Sequence, residues 1–284
     1  MQINPIAIPE ITNFRKRLSE SLAWTPFSYG LVSVISIIVL LVMVVWWPLV
    51  RDYFSTLDPN YPIWLQIDWL LIGIFAVMSL LIMSGANIKT DAWIIIVGLA
   101  GGLAIESWGT QTHLWNYYTL ERPPLWIIPA WPTASLAIDR LTRLLHIIIE
   151  HIKQIEHSSK LFTRLTRKVH FNPIFWVIFP AFYGLMWVFV FPTLDKVATW
   201  LSLLATGLLI LTIKNHRMAV IIFIAGSSLG YFLEVWGTTR ACWTYYTFQT
   251  PPIFAVFAHG FASVAFWRAG VLLKQFSLIL SRPR

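Results

Sequence analysis

Apolar residues are grouped along the chain in eight runs, separated by short polar or proline-containing connections. Most of these runs approach 20 residues, the length at which an α-helix crosses the hydrocarbon core of a bilayer. The pattern therefore predicts an all-α integral membrane protein with eight transmembrane helices. The predicted spans are residues 28–50, 62–83, 91–108, 125–146, 173–194, 196–214, 217–236 and 252–274.

One motif occurs twice, at the end of the third predicted span and again at the end of the seventh. Residues 98–124 and 226–252 both fit G-x3-G-x3-E-x-W-G-T-x4-W-x-Y-Y-T-x3-P-P, with a constant offset of 128 and no gap. Comparison of residues 98–137 with 226–265 gives sixteen identities in forty positions, and shared hydrophobicity does not explain matched Glu, Trp, Tyr and Pro. The match is typical of an internal duplication and predicts two four-helix repeats.

Basic residues are concentrated in the connections on one side of the predicted spans, and cytoplasmic loops carry an excess of Lys and Arg. We therefore predict that both termini are cytoplasmic and that the motif loops lie on the extracytoplasmic side of the cell (plasma or inner) membrane. Four spans per repeat make the repeats parallel, related by a pseudo-two-fold axis along the membrane normal. The basic residues on the predicted cytoplasmic side are Arg15, Lys16, Arg17, Lys89, Lys153, Lys160, Arg164, Arg167, Lys168, Lys214, Arg217, Lys274, Arg282 and Arg284, and the loops of the opposite side hold Arg51, Arg122, Lys196 and Arg240.

This topology divides the chain into five parts. They are an N-terminal cytoplasmic or interfacial segment (1–27), a first four-helix repeat (28–146), a basic linker (147–172), a second four-helix repeat (173–274) and a cytoplasmic tail (275–284). In the linker, Lys160, Arg164 and Lys168 are four residues apart, with apolar residues between them. This spacing predicts an interfacial helix on the cytoplasmic leaflet, and a solvated connector is the alternative.

Composition supports the membrane class, since 57% of the residues are hydrophobic and 12% are charged, against about 25% charged in soluble domains. The net charge of +8 is explained by the cytoplasmic loops and does not indicate nucleic-acid binding. The single cysteine, Cys242, excludes an internal disulfide and a thiolate zinc site. His146 and His151 lack the further histidines of a membrane di-iron oxygenase. We therefore predict no metal site and no redox cofactor.

Each copy of the motif places one glutamate inside a predicted span. Residues four apart on a helix share a face. Gly98 and Gly102 therefore lie on the same face as Glu106, and Gly226 and Gly230 lie on the same face as Glu234. Glycines on this face allow close helix packing, so each glutamate is expected to point into the bundle. Burial would keep such a carboxyl protonated and able to act as a general acid. The alternative is a structural role, in which the glutamate hydrogen-bonds the following turn or a tyrosine.

The residues around the two glutamates form the candidate site. Asp68, near the outer end of the second span, is expected to approach Glu106, and His259 stands where the first repeat has Trp131. Aromatic faces can stabilise a carbocation, although anchoring at the membrane interface is the alternative for each ring. The candidate catalytic residues are Glu106, Glu234, Asp68 and His259. The candidate substrate-binding residues are Trp108, Trp115, Tyr117, Tyr118, Trp131, Trp236, Trp243, Tyr245 and Tyr246.

At this motif the chain resembles the integral-membrane carotenoid biosynthesis proteins of the CruF hydratase type, over about forty residues in each half. The family's Gly after the first aromatic residue is Asn116 here and Thr244 in the second copy. A weaker similarity connects the chain to membrane lycopene cyclases, but their Pro-x-Glu-Glu signature is absent. The matching residues are Glu106, Gly109, Trp115, Tyr117, Tyr118, Pro129 and Trp131, and, in the second copy, Glu234, Gly237, Trp243, Tyr245, Tyr246 and, at the final Trp, His259.

The resemblance implies acid-initiated addition of water to a double bond of an isoprenoid or carotenoid. Glu106 or Glu234 would protonate the alkene, aromatic rings would shelter the tertiary cation, and water would capture it. This chemistry requires no metal or redox cofactor, and its partners would be a hydrophobic lipid or carotenoid and the membrane lipids. The alternatives are a non-catalytic subunit of a membrane complex, a pigment- or lipid-binding protein and, less favoured, a transporter. Which repeat carries the chemistry stays open.

Overall fold

The computed structural model describes residues 7–158 and 171–280, which are mainly helical. Two short strands and one 3-10 turn, Phe191–Thr193, complete the secondary structure of these residues. The strands are β1 (Trp115–Tyr117) and β2 (Trp243–Tyr245). The helices are α1 (Ala7–Leu22), α2 (Pro26–Val45), α3 (Trp47–Ser55), α4 (Ile63–Gln66), α5 (Trp69–Met83), α6 (Ile88–Gln111), α7 (Ile127–Ser158), α8 (Phe171–Val190), α9 (Val197–Leu211), α10 (His216–Thr239) and α11 (Ile253–Leu280).

The helices have the lengths and compositions of an all-α membrane protein, as the hydrophobic pattern predicts. Within the described residues, five segments are long and apolar enough to cross a bilayer. The helices α5 and α9 are apolar but shorter. The five long segments are Pro26–Val45, Ile88–Gln111, Phe171–Thr193, His216–Thr239 and Ile253–Ile279.

Helix α7 is longer than the fourth predicted span. The boundary predicted between residues 146 and 147 falls inside this 32-residue helix, which continues to Ser158. No Gly or Pro occurs between residues 133 and 158, so nothing in the sequence stops the helix at that point. The first part of the predicted linker therefore extends α7, while Lys160, Arg164 and Lys168 lie outside the described residues.

The glycine faces of α6 and α10 make close helix contacts, as the motif spacing predicts. A Cβ added to Gly102 would lie 2.2 Å from Cγ of Trp131 on α7, and one added to Gly230 would lie 2.5 Å from Cβ of His259 on α11. Both distances are far below van der Waals contact, so only glycine fits at these two positions. The two halves therefore place Trp131 and His259 against equivalent helix faces.

A buried ion pair joins the first turn of α6 to the middle of α7. The Nη2 of Arg140 donates to Oδ2 of Asp91 at 2.6 Å, and the Nη1 donates to Asp139 at 2.6 Å. Arg140 is 2% exposed and Asp91 is fully buried. The carboxylate of Asp91 also accepts the backbone N–H of Asn87 at 2.9 Å, which ties it to the first turn of α6.

The motif loops of the two halves meet in a two-stranded antiparallel sheet. Trp115 faces Tyr245, Asn116 faces Thr244, and Tyr117 faces Trp243. Asn116 and Thr244 occupy the same position of the two motif copies and pair with each other. The pairs on either side of them are therefore related by a two-fold axis through this central pair. The backbone conformations of the two loops match as well. Positive φ angles occur at His113 and Leu120 in the first loop and at the equivalent residues, Ala241 and Phe248, in the second.

Candidate functional site

Glu106 lies near the end of α6 with three hydrogen-bond donors around its carboxyl group. The Oε2 atom accepts from the indole N–H of Trp115 at 3.0 Å and from the hydroxyl of Tyr117 at 2.8 Å. The Oε1 atom accepts from the indole N–H of Trp131 at 3.1 Å. With 5% of its surface exposed, Glu106 is enclosed by its own motif and by α7, facing the bundle interior as predicted.

Glu234 has the same arrangement at the end of α10, with one change. Its Oε2 atom accepts from the indole N–H of Trp243 at 3.0 Å, and its Oε1 atom accepts from the hydroxyl of Tyr245 at 2.9 Å. The third partner is Nε2 of His259, 3.0 Å from Oε1. Glu234 is 2% exposed. An imidazole therefore replaces the indole of the first half.

The motif spacing explains how each tryptophan reaches its glutamate. Gly109 follows Glu106 by one helical turn, and a Cβ at Gly109 would lie 1.9 Å from Cη2 of Trp115. At Gly237 the corresponding distance to Trp243 is 2.0 Å. The chain turns back after the helix, and the indole ring covers the glycine so that its N–H points at the carboxyl group. The glycine of the repeated W-G-T therefore leaves the space that the indole ring fills.

Each of the three partners of Glu106 donates a hydrogen bond to its carboxyl group. An indole N–H only donates. Burial raises the pKa of Tyr117 and Tyr245 well above the ordinary tyrosine value, and the adjacent glutamates raise it further, so both hydroxyls stay protonated. His259 differs from the other partners because a ring nitrogen of imidazole can either donate or accept a hydrogen bond, whereas an indole N–H only donates.

Aromatic rings connect the two clusters across the interface between the halves. The ring of Trp131 stacks on that of His259 with centroids 5.6 Å apart and planes at 20°. Trp115 lies 5.9 Å from Tyr245, and Tyr117 lies 6.0 Å from Trp243. The two glutamates therefore belong to one aromatic layer rather than to two separate sites.

Asp68 does not join Glu106, contrary to the expectation from the sequence. Its Oδ2 atom accepts from the indole N–H of Trp236 at 2.9 Å and from Nε of Arg240 at 3.0 Å. Its Oδ1 atom caps α5 by accepting the N–H of Leu71 at 3.2 Å. Burial acts to raise the pKa of Asp68, but these hydrogen bonds and the charge of Arg240 outweigh it, so the pKa lies below the usual aspartate value. Asp68 is therefore an ionised link between the halves.

The remaining candidate aromatics lie around the clusters rather than on the carboxyl groups. Trp108 and Trp236 meet Trp115 and Trp243 edge to face, at 6.2 Å and 5.9 Å. The indole of Trp108 donates to Oγ1 of Thr199 on α9 at 3.0 Å, so it also crosses to the other half. Tyr118 is 55% exposed. The hydroxyl of Tyr246 donates to the carbonyl of Phe189 at 2.8 Å.

The sequence interpretation missed three contacts. The pairing of Asp91 with Arg140 was detectable, because both charges lie inside predicted spans near the same membrane face. The packing of Trp115 against Gly109 was also detectable from the repeated spacing. Thr199 carried no sequence signal, because a threonine within an apolar helix is common and the duplicated position is Leu71.

The described residues, 7–158 and 171–280, contain no group of three or more His, Cys, Asp or Glu side chains arranged to hold a metal ion. Comparison of the chain with protein-family models, with curated proteins and with solved structures finds no match.

The contacts of Asp68 lead to a graded prediction. Asp68→Ala removes a helix cap and leaves the N–H of Trp236 without its acceptor, so we expect it to lower the free energy of unfolding by about 1–2 kcal/mol. Asp68→Asn keeps an acceptor and loses only the ion pair with a half-exposed arginine, which is worth about 0–1 kcal/mol. Thermal unfolding in detergent measures both. Equal losses for the two variants would mean that the charge, not the cap, carries the contact.

Proposed function

We propose that this protein is a membrane enzyme that adds water to a double bond of a hydrophobic isoprenoid- or carotenoid-like lipid, with Glu234 and His259 as the proton-donating pair. The observation that carries the proposal is the 3.0 Å contact between Nε2 of His259 and Oε1 of Glu234. In the first half the corresponding partner, Trp131, holds its proton permanently. The second half therefore carries the chemistry, and the Glu106 cluster supports it structurally.

The reaction balances without an oxidant or a metal. A proton from the Glu234–His259 pair forms a C–H bond with one alkene carbon, using the π electrons, and leaves a tertiary cation on the other. The faces of neighbouring aromatic rings stabilise that cation. Water then forms the C–O bond, and its surplus proton returns to the pair. General acid–base transfer of this kind requires a group that can give up a proton and take it back, and an imidazole ring nitrogen can do both.

We infer further that the chain crosses the cell (plasma or inner) membrane eight times, as two parallel repeats with cytoplasmic termini. The distribution of basic residues supports this orientation. The symmetric register of β1 and β2 supports a two-fold relation between the halves. In this arrangement both motif loops lie on the extracytoplasmic side, and the proton-donating pair is near water at the end of the bundle.

A second candidate function is a non-catalytic subunit of a membrane complex or a pigment- or lipid-binding protein. The three hydrogen-bond partners of each carboxyl group favour it, because a carboxyl group held by several hydrogen bonds is a stable structural anchor. Under this function both glutamates fasten the motif loops to the helices, and the partners are a hydrophobic ligand or other membrane subunits.

The test is expression in a carotenoid-producing host, with pigments analysed by chromatography and the amount of protein measured in parallel. We expect Glu234→Gln and His259→Gln to abolish the hydroxylated product, because glutamine keeps hydrogen bonds at both positions but donates no proton. Glu106→Gln, the matched control, is expected to retain product per folded protein.

A pigment profile that is the same with and without the wild-type protein would contradict hydration of a carotenoid. Pigment or stoichiometric partner proteins that copurify with the wild type, without any product, would support the second candidate. Equal loss of product in Glu106→Gln and Glu234→Gln would contradict the assignment of the chemistry to one half.

A further inference from the structure

Arg268 on α11 stands at the position that Arg140 occupies on α7, because the offset of 128 residues between the two motif copies extends to this point. Arg140 pairs with two carboxylates, those of Asp91 and Asp139, each at 2.6 Å. The positive charge of the first arginine is therefore neutralised by side chains of its own half.

Arg268 lacks both of these acidic partners. The positions equivalent to the two acids of the first half hold Ala219 and Trp267. Within the described part of the chain, Arg268 forms no ion pair, and its hydrogen bond runs from Nε to Oγ1 of Thr212 at 2.9 Å. The Nη1 and Nη2 groups of this half-buried side chain therefore have no protein acceptor among the described residues.

The contact with Thr212 fixes the guanidinium group at the end of α9. Thr212 is the C-cap residue of that helix. Its hydroxyl donates to the carbonyl of Leu209 at 2.9 Å, so its oxygen is available to accept from Nε of Arg268. Because Nε is held in this way, the two Nη groups remain as a planar pair of donors. Such a pair matches two oxygens of a phosphate group and binds them bidentately.

The arginine lies at the end of the bundle that the proposed topology puts on the cytoplasmic side. Four residues, 212–215, connect α9 to α10 there, and Lys214 among them is exposed. A cation without a counter-charge is costly inside a membrane span. Basic sites between membrane helices at this face are instead suited to anionic lipid headgroups.

A stripe of exposed leucines runs along α9 toward Thr212. Spacings of three and four residues put these leucines on one face of the helix, and each is between 58% and 67% exposed. A ligand at Arg268 can therefore hold an anionic group beside the guanidinium and hydrocarbon chains along α9. This combination favours a phospholipid over a free phosphate ion. The leucines are Leu201, Leu204, Leu208 and Leu211.

We infer that Arg268 binds the phosphate of an anionic phospholipid, with one such site per chain. The Nη1 and Nη2 groups donate to two phosphate oxygens, Lys214 adds positive charge beside them, and the acyl chains lie along α9. The first half offers no second site of this kind, because Arg140 is already paired with two carboxylates. The site does not include Glu106 or Glu234, so it is independent of the proposed hydration.

The test counts the lipids bound to the purified full-length protein by native mass spectrometry, after titration in detergent. The probes are phosphatidylglycerol, which is anionic, and phosphatidylcholine, whose headgroup carries its own cation. We expect one phosphatidylglycerol per chain to bind at least about tenfold more tightly than phosphatidylcholine. Inorganic phosphate in excess should not displace it, because it makes no contact with the leucines of α9.

Variants locate the site. Arg268→Gln should weaken phosphatidylglycerol binding about tenfold, and Arg268→Lys, which keeps the charge but not the planar fork, by a smaller factor. Ala219→Asp restores the acid of the first half and should also weaken binding, because the new carboxylate pairs with Arg268 as Asp91 pairs with Arg140. Lys89→Gln is the matched control, since it removes one exposed charge from the same end of the first half, and it should change binding by less than about twofold.

The stability of the protein supplies a second measurement. We expect phosphatidylglycerol to raise the unfolding temperature of the wild type and of Lys89→Gln, but not that of Arg268→Gln. Equal weakening by Lys89→Gln and Arg268→Gln would overturn the site and identify unspecific attraction between opposite charges. Equal affinity for the two lipids would overturn it as well. Displacement of phosphatidylglycerol by inorganic phosphate would overturn the assignment to a lipid and identify a site for the free ion.

Discussion

Arg140→Met is expected to lower the free energy of unfolding by about 3–5 kcal/mol, because it leaves a charged carboxylate buried without its partner. Asp91 is fully buried, and its Oδ2 atom lies 2.6 Å from Nη2 of Arg140. Asp91→Leu should have an effect of similar size, since Arg140 is itself 2% exposed. Chemical unfolding in detergent, followed by tryptophan fluorescence, measures these losses.

The double variant Asp91→Leu with Arg140→Met distinguishes the ion pair from simple loss of packing. It removes both charges together, so we expect it to be less destabilised than either single variant. Lys196→Gln breaks the exposed pair with Asp195 and serves as the control, with no measurable change expected. Additive losses in the double variant would contradict a coupled pair and would show that the two side chains act separately.

Gly109→Ala and Gly237→Ala are expected to destabilise the protein by about 3–5 kcal/mol each, through overpacking and through loss of a buried hydrogen bond. The added methyl group would lie 1.9 Å or 2.0 Å from the indole ring, so the ring must leave its position. The displaced indole then loses its bond to Glu106 or Glu234. A red shift of tryptophan fluorescence, together with a lower unfolding temperature, checks this result.

Gly73→Ala and Gly184→Ala are matched controls in apolar helices, because nothing lies within 4 Å of a Cβ at either position. Both should be neutral or slightly stabilising, by up to about 1 kcal/mol, since alanine favours the helix. If Gly109→Ala behaves like Gly73→Ala, the tryptophan is not held by the glycine, and its contact with the glutamate carries little stability.

Periodicity alone predicted much of what positions the site. The four-residue spacing placed Gly102 and Glu106 on one face, and the structure confirms that this face is packed and buried. The end of α7 was not predicted, because a change from apolar to basic composition does not interrupt a helix that lacks Gly and Pro. Composition marks where a chain leaves the bilayer, while backbone preferences decide where a helix ends.

The pairing between halves was the part that the sequence left undetermined. Asp68 was assigned to Glu106 because both lie in the first repeat, yet its partners are Trp236 and Arg240 of the second. Trp108 likewise reaches Thr199 in the other half. Internal similarity identifies equivalent positions, but it does not say which copy supplies the neighbour. The prediction for the tryptophans was also incomplete. It considered only the faces of the rings, whereas the indole N–H groups of Trp115, Trp131 and Trp243 donate to the glutamates.

The antiparallel register of β1 and β2 has a consequence for how the two halves came to differ. A strand that pairs with its own duplicate about a central residue forms the self-complementary contact of a two-fold homodimer. In a homodimer of single repeats, every substitution would appear on both sides of the axis. Here both copies of the motif lie in one chain and can differ, so one side of the stacked pair is Trp131 and the other is His259. Asymmetry in this layer is possible only because the two copies are encoded separately.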